Sequence, residues 1–201
     1  MNFFSPNSKF AQVMTSVGEM MLLNLCWILG SLPLVTIGAA NIAMYTVMGR
    51  RLRNEESGTI VPFFKAWRSN LNMGVAFWLG QVFVTVSLGM IFFLPLPQVL
   101  KVVAVVLLIL VSLLLSIVYP QIARYRNRWL AYLRNAIILL VLKPGWVLLN
   151  MLLFLTPAFL FLLAPMVFLK CGFVWILFGF SAMFFLSAKI VHKILLPLES
   201  L

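Results

Sequence analysis

The chain has 201 residues, enough for one domain or a small membrane bundle. Hydrophobic residues make up 64% and charged residues 9%, against roughly 45–50% and about 25% in soluble domains, so the charges are too few to cover a water-facing surface. Fifteen Lys and Arg stand against four acidic residues, all Glu, giving a net charge of +11; nucleic-acid binding is not needed to explain this excess, because basic loops are what the positive-inside rule leaves on the cytoplasmic side of a membrane protein.

A hydrocarbon core about 30 Å thick takes about 20 helical residues at about 1.5 Å each. Uncharged stretches of that order predict spans over about 20–48, 71–95, 102–123, 145–169 and 171–190. The expected fold is therefore an all-α polytopic bundle of about five transmembrane helices. The first stretch is longer than one straight span needs, and Pro33, without an amide donor, with Gly38 close behind, predicts a kink near 32–38. One kinked span is the reading carried forward, with a re-entrant hairpin as its alternative. Cys26 and Cys171 lie in apolar runs without a CxxC partner and read as packing residues. The first apolar run is too long for the core of a cleaved signal.

The intervening loops 49–70 and 124–143 are basic. Arg50, Arg51, Arg53, Lys65 and Arg68 lie in the first, and Arg124, Arg126, Arg128, Arg134 and Lys143 in the second; Lys189 and Lys193 follow the last span. Only Lys9, Lys101 and Lys170 fall on the opposite face, which places both loops and the C-terminus in the cytoplasm and, with five crossings, the N-terminus outside. A hairpin in the first stretch would move the N-terminus alone. Each loop also carries an aromatic and basic segment, Phe63 to Asn70 and Trp129 to Ala136, expected as two short cytoplasmic interfacial helices with Trp67 and Trp129 setting depth. Their shared order, aromatic then Arg then Asn, admits an internal duplication. The cations are expected to meet anionic lipid headgroups or a partner protein.

Within the spans the polar side chains are amides and hydroxyls, without an ionisable group, which disfavours a proton-coupled pump. Asn24, Thr36, Asn41, Gln81 and Asn150 would line a site for an uncharged solute; structural packing is the competing role. Ala39-x-x-x-Ala43 and Ala76-x-x-x-Gly80 supply small faces for close helix approach. Glu19 reads as a solvated helix end and His192 as an interfacial side chain. No HExxH or GxSxG occurs and Asp is absent, so no catalytic, cofactor-binding or metal-ligating residue is expected, and the chain does not read as an enzyme.

Asn24-x-x-Trp27, then Ser31-Leu32-Pro33-Leu34-Val35-Thr36-Ile37-Gly38 and Tyr45, resembles the YesL-like family, and the likeness continues through Phe63-Phe64-Lys65 to Asn70 and Tyr132-Leu133-Arg134-Asn135-Ala136. Asn41-Ile42-Ala43-Met44 departs from the small, Thr-rich residues expected before the Tyr. The resemblance implies a bacterial integral plasma-membrane protein of a family with no established activity, cofactor or catalytic residue. Members are often found beside carbohydrate-uptake and sensor-kinase genes. By association, this implies an accessory subunit for a carbohydrate ABC transporter or a sensor kinase; a facilitator for a small uncharged solute such as a sugar is the alternative. The oligomeric state is left open.

Overall fold

A computed structural model describes residues 9–55, 58–170 and 172–199; Cys171, and its reading as a packing residue, lie outside them. The described residues are overwhelmingly helical and include no strand, as expected for an all-α polytopic bundle. Among the described residues four helices are long and apolar enough to cross a membrane, and a fifth span results if the helices over 129–142 and 144–157 count as one bent crossing. Large apolar side chains point outward along these helices: on α5 (Gln98–Arg124), Val99, Val102 and Val106 are each at least half exposed. Water would not tolerate so continuous an apolar surface; lipid does. The chain is an integral membrane protein.

The first stretch is a hairpin and not the kinked span expected. α1 (Lys9–Ser31) starts well before residue 20, and a 3-10 turn (Leu34–Thr36) leads into α2 (Ile37–Leu52). The two helices run antiparallel, side by side. Thr36 Oγ1 donates to Gly30 O at 2.7 Å, the Trp27 indole N–H donates to Asn41 Oδ1 at 2.9 Å, and Arg51 pairs with Glu19 at 3.1 Å. Glu19 is thus an ion-paired side chain within α1 and not a helix end. Pro33 causes the reversal: it cannot continue the ladder, and five residues from Leu32 to Thr36 turn the chain back. The N-terminal half of α1 consequently shares an end of the bundle with Arg51. α2 is about 24 Å long and is enclosed by protein, with Ala39, Ala40, Ile42, Ala43, Met44, Val47 and Met48 fully buried.

α3 (Ile60–Ser69) buries Phe63 completely and packs on the hairpin, where Trp67 donates its indole N–H to Gly30 O at 3.0 Å. Asn70 separates it from α4 (Leu71–Met90), which pairs antiparallel with α5 across the turn containing Pro95 and Pro97; Tyr119 donates to Gln81 Oε1 at 3.0 Å. α6 (Trp129–Leu142) buries the stripe Tyr132, Ala136 and Leu139, while Leu130 and Val141 on its other face are over 70% exposed. α7 (Pro144–Leu163) departs from it by a 110° bend at Lys143. The stretch expected as one span over 145–169 breaks at Ala164, before α8 (Pro165–Lys170). α9 (Gly172–Val174), a π-helical turn (Trp175–Gly179) and α10 (Phe180–Glu199) then return beside α7, extending the last span beyond residue 190.

The duplication does not carry into local structure. Asn70 closes α3, its side-chain amide donating to Ala66 O at 2.8 Å, whereas Asn135 lies in the interior of α6. Of the two small-residue faces, Ala39 and Ala43 are buried, but Gly80 has open space where a Cβ would be. The close approach is made instead by Gly38 and Gly74. A Cβ on either would collide with the other's backbone, at 2.8 Å from Gly38 C or Gly74 C.

Candidate functional site

A helix interrupted inside a membrane frees backbone carbonyls that hydrocarbon cannot hydrogen-bond. Three of the polar side chains singled out in the spans serve such carbonyls. Pro33 ends α1 and leaves Gly30 O to Thr36 and Trp67. Pro120 in α5 has no N–H for Ser116 O, and Asn150 on α7 donates to that carbonyl at 3.0 Å. The π turn before α10 exposes further carbonyls: Asn24 donates to Trp175 O at 3.2 Å and to Ile176 O at 2.6 Å, and accepts from Ser181 N at 2.8 Å.

The repair at Asn150 extends into a buried polar chain. Ser187 Oγ donates to Asn150 Oδ1 at 2.6 Å, so the Tyr45 hydroxyl at 2.6 Å from Ser187 is the donor of that pair. Asn24, Asn150, Ser181 and Ser187 are fully buried. Gln121 is buried as deeply, and neither end of its amide has a protein partner among the described residues.

Asn41 and Gln81 differ from Asn24 and Asn150. With Trp78, Ser112, Ser116 and Tyr119 they line a cavity of about 260 Å³ in the middle of the bundle, closed partly by Phe154 and Phe184. Their oxygens accept from Trp27 and Tyr119, which fixes both amide orientations, and no protein partner meets either amide nitrogen among the described residues. The cavity therefore combines two NH2 donors with aromatic surface, the lining of a small-molecule pocket slightly below the usual size range. Asn24, Thr36 and Asn150 do not line it. Trp78 and Tyr119 belong to it and were not singled out from sequence, because an aromatic residue in an apolar run carries no mark of facing a cavity.

The basic end is built where α2, α5 and α10 finish together. A cavity of about 250 Å³ there is bordered by Arg50, Arg53, Arg124 and His192, with Tyr45 and Thr46 inside. Tyr45 lines this cavity and the central one, so its ring stands between them. A second lobe of about 550 Å³ shares Arg50 and Arg124 and adds Lys65 and Arg126. Arg124 donates to His192 Nδ1 at 3.3 Å, which ties α5 to α10. Arg51 is occupied by Glu19 and Thr59, and Arg53 by Glu55. That hydrogen bond from the Arg53 guanidinium holds the exposed Glu55 carboxyl below its ordinary range. Arg68, Arg128 and Arg134 line neither lobe. Trp67 is spent inside the bundle, whereas Trp129 stacks on Phe77 with ring centroids 5.2 Å apart and stays half exposed. Among the described residues no three of His, Cys, Asp and Glu gather as metal ligands.

Residues 20–94, from within α1 to just past α4, match the family described as "Protein of unknown function, DUF624". No curated protein and no solved structure matches the chain.

Proposed function

We propose that this is a YesL-like, non-enzymatic accessory subunit of the bacterial plasma membrane, with its C-terminus and basic loops in the cytoplasm, that contacts a carbohydrate ABC transporter or a sensor kinase. The observation that supports it most is the division of polar side chains: those of Asn24, Thr36 and Asn150 are consumed in holding the bundle together, while cations gather at one end. Such an end offers contacts to an acidic protein face and to anionic headgroups, each Lys or Arg near the surface contributing about 1 kcal/mol. The carbohydrate link rests on the resemblance of the Asn24 to Tyr45 segment. Cross-linking in native membranes through a photoreactive residue at position 68 or 128, followed by mass spectrometry, tests the reading. Recovery of a solute-transporter subunit or a kinase is expected; recovery of lipid alone would overturn it.

A second reading is favoured by the cavity at Asn41 and Gln81: a facilitator for a small uncharged solute. Purified protein in liposomes that equilibrates a labelled sugar, with the rate lost in Gln81→Leu, supports that reading, and equilibration no faster than in empty liposomes rejects it.

A further inference from the structure

Amide hydrogens inside a membrane bundle need acceptors, so a cavity that presents them selects its occupant. Asn41 Oδ1 accepts the Trp27 indole N–H at 2.9 Å and Gln81 Oε1 accepts the Tyr119 hydroxyl at 3.0 Å. Both NH2 groups are thereby left, without a protein partner among the described residues, for whatever fills the central cavity of about 260 Å³. The hydroxyls of the wall have the opposite polarity. Ser112 Oγ donates to Leu108 O at 2.8 Å, Ser116 Oγ to Leu113 O at 2.7 Å and Tyr119 to Gln81, so each has spent its hydrogen and has lone pairs left to offer. Trp78, Phe154 and Phe184 add apolar ring surface.

This pattern discriminates among ligands. The described lining holds no Lys, Arg, His, Asp or Glu, so an ion would enter without a countercharge and lose its hydration. A wholly apolar molecule would strand both NH2 groups, and one with acceptors alone would leave the hydroxyl lone pairs unmet. A hydroxyl group both donates and accepts. Neighbouring hydroxyls on one ring therefore meet the amide donors and the serine acceptors together, while the partly positive C–H face of that ring suits the negative faces of the aromatic wall. A cavity slightly below the usual size of ligand pockets suits one such ring and not a chain of them.

We propose that the central cavity is a binding site for a neutral polyhydroxylated ring compound, held by N–H donation from Asn41 and Gln81 and by acceptance at Ser112, Ser116 and Tyr119. The proposal rests on the cavity that carries the solute reading above and specifies the chemistry of its ligand; it requires occupancy, not passage across the membrane. Asn41 lies on α2, Gln81 on α4 and both serines on α5, so the ligand would bridge three helices.

The test is equilibrium dialysis of protein in phosphatidylcholine nanodiscs, free of sugar-based detergent, against labelled glucose, galactose, mannose, ribose and myo-inositol. Gluconate, which is charged, and 1,4-dioxane, a ring with acceptors alone, serve as contrasts. At least one of the polyhydroxylated rings is expected to bind saturably, one molecule per chain, and about tenfold or more tightly than either contrast. Asn41→Leu and Gln81→Leu should each weaken that binding about tenfold or more, whereas Thr156→Val, at an exposed position of α7 outside the cavity, should leave it unchanged. If Asn41→Leu or Gln81→Leu does not fold, Gln81→Met, which keeps the length of the side chain and removes its NH2, takes its place. Flux into liposomes is measured on the same proteins. Binding without flux keeps the site and removes the facilitator. Flux that continues at the wild-type rate in both cavity variants keeps the facilitator and overturns the site. Saturable binding of none of the five rings also overturns the site, as does 1,4-dioxane binding as tightly as the best of them.

Discussion

Asn150 shows how one side chain comes to matter in a bundle of mostly interchangeable apolar residues. It serves the carbonyl that Pro120 orphans and receives the hydroxyl of Ser187, so its loss leaves the Ser116 carbonyl unpaired and takes from Ser187 its acceptor, with Tyr45 as its remaining partner. Asn150→Leu is expected to lower stability by about 2 kcal/mol, measured as thermal unfolding in mild detergent. In a Pro120→Ala background, where an amide N–H again meets Ser116 O, roughly half of that loss should disappear; an undiminished loss would break the link between the two residues. Glu55 behaves differently because it is exposed. Arg53 depresses its folded pKa, so the stabilisation is present above the ordinary Glu value and lost as pH falls through the lowered one. Carboxyl NMR should show that lowered midpoint returning upward in Arg53→Gln. The amides were visible in the sequence as side chains that hydrocarbon obliges to find partners. Their partners were not: Asn24 meets carbonyls that exist only because a π turn forms some 150 residues away, and no hydrophobic period announces such a turn.

Among the elements, α2 is the one around which the others gather, and its crossing with α4 depends on two residues without side chains. Gly38 drew notice beside Pro33 as part of a kink, yet its structural task is contact with Gly74. Gly74→Ala places a Cβ against backbone that has nowhere to move, and a loss of about 3 kcal/mol or more is expected. Gly80→Ala, with open space at the same helix, should leave stability unchanged or slightly raise it. Equal effects in chemical denaturation would remove the crossing from the account. The length of α1 was hidden for an electrostatic reason. Lys9, Gln12, Thr15, Ser16 and Glu19 make its first half look like a solvated tail. Within the helix Thr15 and Ser16 satisfy their hydroxyls on the carbonyls four residues back, and Glu19 finds Arg51, which ties this half of α1 to α2. A thirty-residue uncharged stretch is too long for one straight helix across a bilayer, but the choice between bending and reversing requires that pairing.

For the whole molecule, the hairpin changes which end is which. Of fifteen Lys and Arg, only Lys101 and Lys170 now lie near the chain reversals between α4 and α5 and between α7 and α10; Lys9, at the start of α1, belongs with the basic end. The charge asymmetry that the loops alone implied becomes sharper, and the start of α1 and the last turns of α10 lie at the same end of the described bundle. This arrangement gathers Arg50, Arg124 and His192 and leaves the polar cavity at Asn41 and Gln81 in the interior. The most direct test is to fuse a topology reporter, active only in the cytoplasm, at Asn7 and separately at Ser200. The account predicts that both fusions are active; activity at Ser200 with silence at Asn7 would restore the single kinked span and contradict it.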